Sequence, residues 1–169
     1  MGRSVGSALG RPHVLVVSDD AELRAFLSEG LLYAGFWTSG VASAIQTLEV
    51  FRLRSFDLVL IDADLTGLGA AELVRRLRGW SSRAASGGPR TDVPILLVGD
   101  DTSATTDEAA TDLNVDGFLR APLDLEAVAL HLFGIVAAWR HDHPDRPWAD
   151  ATAQAPRDSK MSPRGDQRP

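Results

Sequence analysis

The sequence predicts an α/β domain built as a doubly wound sheet of five parallel strands with helices on both faces. Three observations carry this. Short solid apolar runs occur at Val14-Leu15-Val16-Val17, Leu58-Val59-Leu60-Ile61 and Ile95-Leu96-Leu97-Val98, bounded by Asp, Pro or Gly. Such runs of leucine and β-branched residues read as parallel strands buried on both faces. Stretches of helical periodicity lie between them. The length of 169 residues with 44% hydrophobic content is enough for one domain with a real core.

Taken in chain order, the first run is followed by Leu23, Phe26, Leu27 and Leu31, spaced for one helix face. Phe36-Trp37-Thr38 is a weaker strand candidate, and Ala44, Ile45, Leu48 and Phe51 predict the next helix. After the run at 58–61, Leu73, Val74 and Leu77 mark a third helix. The segment Gly79 to Asp92 is a long polar connection rich in Ser and Gly, which predicts mobility. Beyond the run at 95–98, Thr102 to Leu113 predicts a helix with a thin apolar stripe, and Gly117-Phe118-Leu119 a fifth strand. Leu125, Val128, Ala129, Leu132, Ile135 and Val136 predict the last helix. No internal repeat is visible.

The predicted organisation is an N-terminal extension over 1–12, a folded domain over 13–140 and a disordered tail over 141–169. The tail holds five prolines, five aspartates and five Lys/Arg residues, with little apolar surface to offset the entropy of ordering it. Its charges cancel, so the net charge of −6 belongs to residues 1–140. An acidic balance argues against direct nucleic-acid binding, which needs cations to displace phosphate counterions. The apolar runs are too short to span a membrane, and no secretion signal is readable. The absence of cysteine excludes a disulfide scaffold and a thiolate nucleophile, and fits a reducing, cytoplasmic setting.

In sheets of this type, sites form beyond the carboxyl ends of the strands. Ser18-Asp19-Asp20 follows the first run, Asp62-Ala63-Asp64 ends the second, and Gly99-Asp100-Asp101 follows the third. Carboxylates therefore converge on one rim, where like charges need a cation or a proton to relieve them. Mg2+ is the natural partner for two or three carboxylates with water. The plainer alternative is helix capping, for which Asp20 and Asp101 are suitably placed; Asp19 and Asp62 together favour an ion site. No glycine-rich phosphate cradle follows the first strand.

The blocks VLVVSDDAELRAFL, FDLVLIDADLTGLGAAELVRRLR, DVPILLVGDD and NVDGFLRAPLDLEAV, in this order and spacing, resemble the receiver domain of two-component response regulators. The resemblance runs from about His13 to Trp139 and implies a flavodoxin-like receiver fold. It implies Asp62 as the phospho-acceptor and Mg2+ held by Asp19, Asp62 and the backbone carbonyl of Asp64, with Asp20 close by as a further candidate ligand. Phe118 falls on the aromatic switch position, and Ala121-Pro122 on a Lys-Pro pair whose peptide bond is commonly cis. Several positions depart from the pattern. Ser18 replaces the first acidic residue, Thr66 a proline, and Gly69-Ala70 an Asp-Gly pair. Gly99 replaces the switch Thr or Ser, and Ala121 the lysine that pairs with the phosphoryl group. Lys160 in the tail is the chain's lone lysine, so no lysine of the fold can stand in.

The expected function is that of a single-domain response regulator in a phosphorelay. A sensor histidine kinase or phosphotransfer protein would supply the phosphoryl group, and a downstream protein partner would read it. A homodimer is compatible with the face around 102–113 and Phe118. The alternative is a pseudo-receiver that docks proteins independently of phosphorylation. No enzymatic turnover is expected beyond self-phosphorylation and autodephosphorylation. The run ending Asp62-Ala63-Asp64-Leu65-Thr66 also looks like the signature of haloacid-dehalogenase-type phosphatases, which need a downstream lysine or arginine, but here it follows two strands, the folded remainder is short and no lysine is available. Among lesser features, Trp37 reads as core, Trp80 as an exposed contact, and His141 with His143 as a weak metal pair.

Overall fold

The computed structural model describes residues 10–81 and 88–149. The elements alternate as β1 (His13–Val17), α1 (Ala21–Ala34), β2 (Trp37–Val41), α2 (Ala44–Leu53), β3 (Leu58–Asp62), α3 (Ala70–Arg78), β4 (Ile95–Gly99), α4 (Asp107–Asp112), β5 (Gly117–Arg120) and α5 (Leu125–Asp142). All strand pairings are parallel, in the order β2-β1-β3-β4-β5.

The three solid runs became the central strands because both of their faces are covered. Leu15, Val17, Val59, Ile61, Ile95 and Leu97 point into a core closed by Ala44, Leu73, Val74 and Leu77. The alternate residues Val14, Val16, Leu58, Leu60, Leu96 and Val98 meet Leu27, Leu31, Val128, Leu132 and Val136 of α1 and α5. This is the two-residue alternation of a strand, with an apolar layer on each side.

Four expectations shift. The second strand begins at Trp37, not Phe36: Phe36 is fully buried and stacks on Phe133 at 4.2 Å, while Trp37 is 39% exposed beneath the Arg11 guanidinium. Ile45, expected on the buried stripe of α2, is exposed, and Thr47 is buried instead, its hydroxyl donating to the Ser43 carbonyl at 2.9 Å. The helix expected over 102–113 is confined to α4 and capped by Thr106. Upstream, Asp100 Oδ1 accepts from the Thr102 N–H at 2.8 Å and hydroxyl at 2.6 Å, and the Ser103 hydroxyl accepts from the Asp100 N–H at 2.9 Å. Short polar side chains bonding nearby backbone compete with helix formation.

The fourth correction is the tail boundary. α5 runs through Asp142, and residues 143–149 are tied to residues just before β3 and β4. Arg146 grips Asp92 with two hydrogen bonds of 3.1 and 2.6 Å, Trp148 lies 3.6 Å from the Arg140 guanidinium, and Ala149 N–H donates to the buried Asp57 carboxylate at 3.2 Å. Specific ionic and cation–π contacts hold what average composition assigned to the tail. The other half of the anchor is at the start of the sheet, where the His13 N–H donates to Asp57 Oδ2 at 2.8 Å. His143 stacks on Trp139 at 4.0 Å, which accounts for its place without a metal. Most of the expected N-terminal extension, the expected mobile centre of the 79–92 connection and the rest of the tail (1–9, 82–87 and 150–169) lie outside the described residues. Among the described residues no helix is long and apolar enough to cross a membrane.

Candidate functional site

The parallel sheet brings the carboxyl ends of β1, β3 and β4 side by side. Val17 pairs with Ile61, and Asp62, the last residue of β3, pairs with Val98. Asp62 is 7% exposed, so its carboxylate sits in a recess of the rim. Ser18, the residue after β1, donates its hydroxyl to Asp62 Oδ2 at 2.6 Å, and the Asp64 N–H donates to Oδ1 at 2.9 Å. The two bonds fix the orientation of the carboxylate from both sides. A carboxylate offers about four lone-pair sites, so acceptor capacity remains.

Asp19 is exposed on the same rim and faces the loop after β3. Its Oδ2 accepts from the Thr66 hydroxyl at 2.5 Å and from the Thr66 N–H at 3.4 Å. The Thr66 hydroxyl holds the Asp19 carboxyl below the ordinary value of 3.8, slight burial opposes it, and Arg24 adds an attractive charge. Arg24 itself is anchored on the Ser18 carbonyl at 2.7 Å, a cation on the same rim as Asp19. Asp20 caps α1, accepting from the N–H groups of Glu22 at 3.0 Å and Leu23 at 3.2 Å. Asp101 caps nothing and pairs with Arg120.

The positions expected to act as switches lie alongside. Gly99 is tightly enclosed: a Cβ there would stand 2.4 Å from Ser103 Oγ, 2.8 Å from the Ala63 Cβ and 3.1 Å from Phe118 Cζ. Ser103 and the edge of the Phe118 ring thus occupy the space that a side chain on residue 99 would need. Ala121 is exposed, its N–H donates to the Gly99 carbonyl at 2.7 Å, and its peptide bond to Pro122 is cis. No ammonium reaches the recess from this position.

The donor set suits Mg2+ in kind: the Asp62 and Asp19 carboxylates and a main-chain carbonyl at Asp64 are hard oxygen donors, and Mg2+ sites commonly use one or two carboxylates with water. Among the described residues no group of three or more His, Cys, Asp or Glu side chains is placed to hold an ion. The set is therefore poorer in charge than one with an acid in place of Ser18.

Sequence reasoning placed Asp62, Asp19 and Ser18 on one rim, and the structure brings them there. It missed Arg24, the role of the Thr66 hydroxyl and the bonds that turn the Asp64 carboxylate toward the next loop. The Asp64 side chain accepts from Ser103 Oγ at 2.9 Å and from the Ala104 N–H at 2.7 Å. Nothing local in the sequence signals these bonds, which span about forty positions.

A five-stranded parallel sheet with an acidic recess at the end of its central strand defines a doubly wound α/β fold with its site on the carboxyl rim. The chain belongs to the response regulator receiver domain family, whose model matches residues 14–132. Among curated proteins it is similar to the regulatory protein VirG of Rhizobium radiobacter, at 28% identity over 114 residues, 67% of this chain and 39% of that one. It is also similar to the virulence sensor protein BvgS of Bordetella pertussis, at 32% identity over 142 residues, 83% of this chain and 11% of that one. The chain thus spans well under half the length of these relatives. Among solved structures, chemotaxis response regulator CheY4 of Vibrio cholerae shares the fold with a TM-score of 0.62 at 22% identity, over 75% of this chain and 99% of that one. A CheY-like receiver domain protein from Methanospirillum hungatei does so with a TM-score of 0.67 at 16% identity, over 79% and 99%.

Proposed function

We propose that this receiver domain accepts a phosphoryl group on Asp62 and signals through altered protein contacts. The observation that carries the reading is the Asp62 carboxylate, recessed at the end of β3 and oriented by the Ser18 hydroxyl and the Asp64 N–H. An Asp62 oxygen attacks the phosphorus of a phosphohistidine, on a sensor kinase or phosphotransfer protein. The O–P bond forms as the P–N bond breaks, and the leaving imidazole takes up a proton, giving an acyl phosphate. Asp62, Asp19 and the Asp64 carbonyl would hold Mg2+, which when bound neutralises charge on the transferring phosphoryl oxygens. The Ser18 hydroxyl and the Asp64 N–H keep the carboxylate aligned, and Arg24 offsets negative charge at the rim.

Chemistry beyond self-phosphorylation and autodephosphorylation is not part of this reading, which places the protein in the cytoplasm with its kinase. The test is incubation with acetyl phosphate and Mg2+ followed by intact-mass measurement. A single phosphoryl adduct on the wild type, absent from Asp62→Asn, supports the reading. An unmodified wild type under conditions that label another receiver contradicts it.

A further inference from the structure

The loop between β4 and α4 is tied to the end of β3 by a compact set of bonds, and most of them meet at Asp64. Its carboxylate takes Ser103 Oγ on one oxygen at 2.9 Å and the Ala104 N–H on the other at 2.7 Å. The adjoining Thr105 N–H donates to the Ala63 carbonyl at 3.2 Å. Ser103 is 6% exposed, and its hydroxyl also accepts from the Asp100 N–H at 2.9 Å. This seat exists because residue 99 is glycine: a Cβ there would lie 2.4 Å from Ser103 Oγ. On its other side Asp64 is joined to Asp62, since its own N–H donates to Asp62 Oδ1 at 2.9 Å. One residue therefore has its main chain on the Asp62 carboxylate and its side chain on the neighbouring loop.

We infer that Asp64 is a positioning residue that couples the state of the Asp62 carboxylate to the loop of residues 100–106 through Ser103 and Ala104. The inference rests on the reading of Asp62 as the acceptor. When Asp62 Oδ1 loses charge, whether by amide substitution or by forming an acyl phosphate, the hydrogen bond from the Asp64 N–H weakens. The turn that carries Asp64 then shifts, and the two bonds from its carboxylate carry that shift to Ser103 and Ala104. With glycine at position 99 and alanine at 121, this path needs neither a hydroxyl on residue 99 nor a lysine.

Site-resolved amide hydrogen exchange on the full chain tests this. The Ala104 and Thr105 amides are the readout, because one is bonded to Asp64 itself and the other lies next to it. Asp64→Ala, at an exposed position, should speed exchange at Ala104 about ten-fold, the effect of losing a bond to a charged acceptor. Asp64→Asn keeps one acceptor oxygen and should restore part of the protection. The decisive comparison is a double-mutant cycle. Asp62→Asn should change exchange at Ala104 about two-fold or more in the wild-type background, less in Ser103→Ala, where the Ala104 bond to Asp64 remains, and not at all in Asp64→Ala. An equal change in all backgrounds, or no change in the wild type, overturns the coupling. A purely structural bond would give additive effects. The acetyl phosphate adduct, read by mass on the same samples, reports separately on Asp62 as acceptor, so failure of that reading is distinguishable from failure of the relay.

Discussion

The Ser18 hydroxyl donates to Asp62 Oδ2 across 2.6 Å, so the residue that stands where receivers carry an acid serves Asp62 as a neutral hydrogen-bond donor. This relationship decides how the recess behaves without a metal. A second carboxylate at 18 would repel Asp62. The hydroxyl instead adds a donor to the recess without adding charge.

Ser18→Ala leaves the buried Asp62 oxygen without its donor and should cost about 1–3 kcal/mol in urea unfolding. Ser18→Asp should also destabilise the metal-free protein. Added Mg2+ should restore stability to Ser18→Asp and bind it more tightly than the wild type, a difference calorimetry reads directly. Equal Mg2+ affinity in the two proteins would contradict the argument that the donor set is short of one acid.

Thr66 holds Asp19 through its hydroxyl, and that bond competes with a metal for the same carboxylate. Thr66→Val should therefore tighten Mg2+ binding about three- to ten-fold, the equivalent of roughly one hydrogen bond. Its effect on stability has a defined pH sense. The Asp19 carboxyl is held below its ordinary value of 3.8 in the folded state, chiefly by the Thr66 hydroxyl. The resulting stabilisation is present above pH 3.8 and is lost as pH falls through the lowered folded value. Asp19 is exposed, so solvent screening limits the contribution to at most about 1 kcal/mol. The stability gap between wild type and Thr66→Val should be widest near neutrality and close in acid; a gap that widens in acid would reverse the sign.

Gly99 is enclosed by Ser103, Ala63 and Phe118. Gly99→Ala should destabilise by about 1–3 kcal/mol through overpacking. Ser103→Ala removes the nearest obstacle, so the same substitution should cost less in that background, by about 1 kcal/mol. Additive costs would show that the hydroxyl is not what fills the space.

Asp57 joins the first strand to the end of the described chain, accepting from His13 N–H at 2.8 Å and Ala149 N–H at 3.2 Å, with Arg140 at 3.9 Å. Asp57→Ala leaves buried donors unpaired and should cost about 3 kcal/mol. A chain ending at 142 should be less stable than one ending at 149 by about 2 kcal/mol, from the lost Ala149, Arg146 and Trp148 contacts. Thermal unfolding of the two truncations measures this. Equal melting temperatures would mean that residues 143–149 only rest on the surface.

What could be read from the chain follows from where information is local. The central strands are legible because burial on both faces forces continuous runs such as Leu58 to Ile61. The edge strand β2 is poorly marked, because none of its residues is fully buried and it tolerates Trp37, Thr38 and Gly40, while its apolar neighbour Phe36 packs just before the first pairing. Asp62, Asp19 and Ser18 could be placed together because topology alone brings strand ends to one rim. The Asp64 carboxylate, the Thr66 hydroxyl and the seat of Ser103 could not, since each depends on loop geometry between distant positions. The strap at 143–149 was hidden for a related reason: composition averages over a few ionic contacts that order a polar segment.

The most direct test of Asp62 as acceptor is to treat the protein with acetyl phosphate, with and without Mg2+, and to map the adduct to its peptide. One phosphoryl group is expected on the peptide containing Asp62, dependent on Mg2+, labile to hydroxylamine and absent from Asp62→Asn. An adduct that persists in Asp62→Asn, or a wild type left unmodified where an ordinary receiver is labelled, would contradict it.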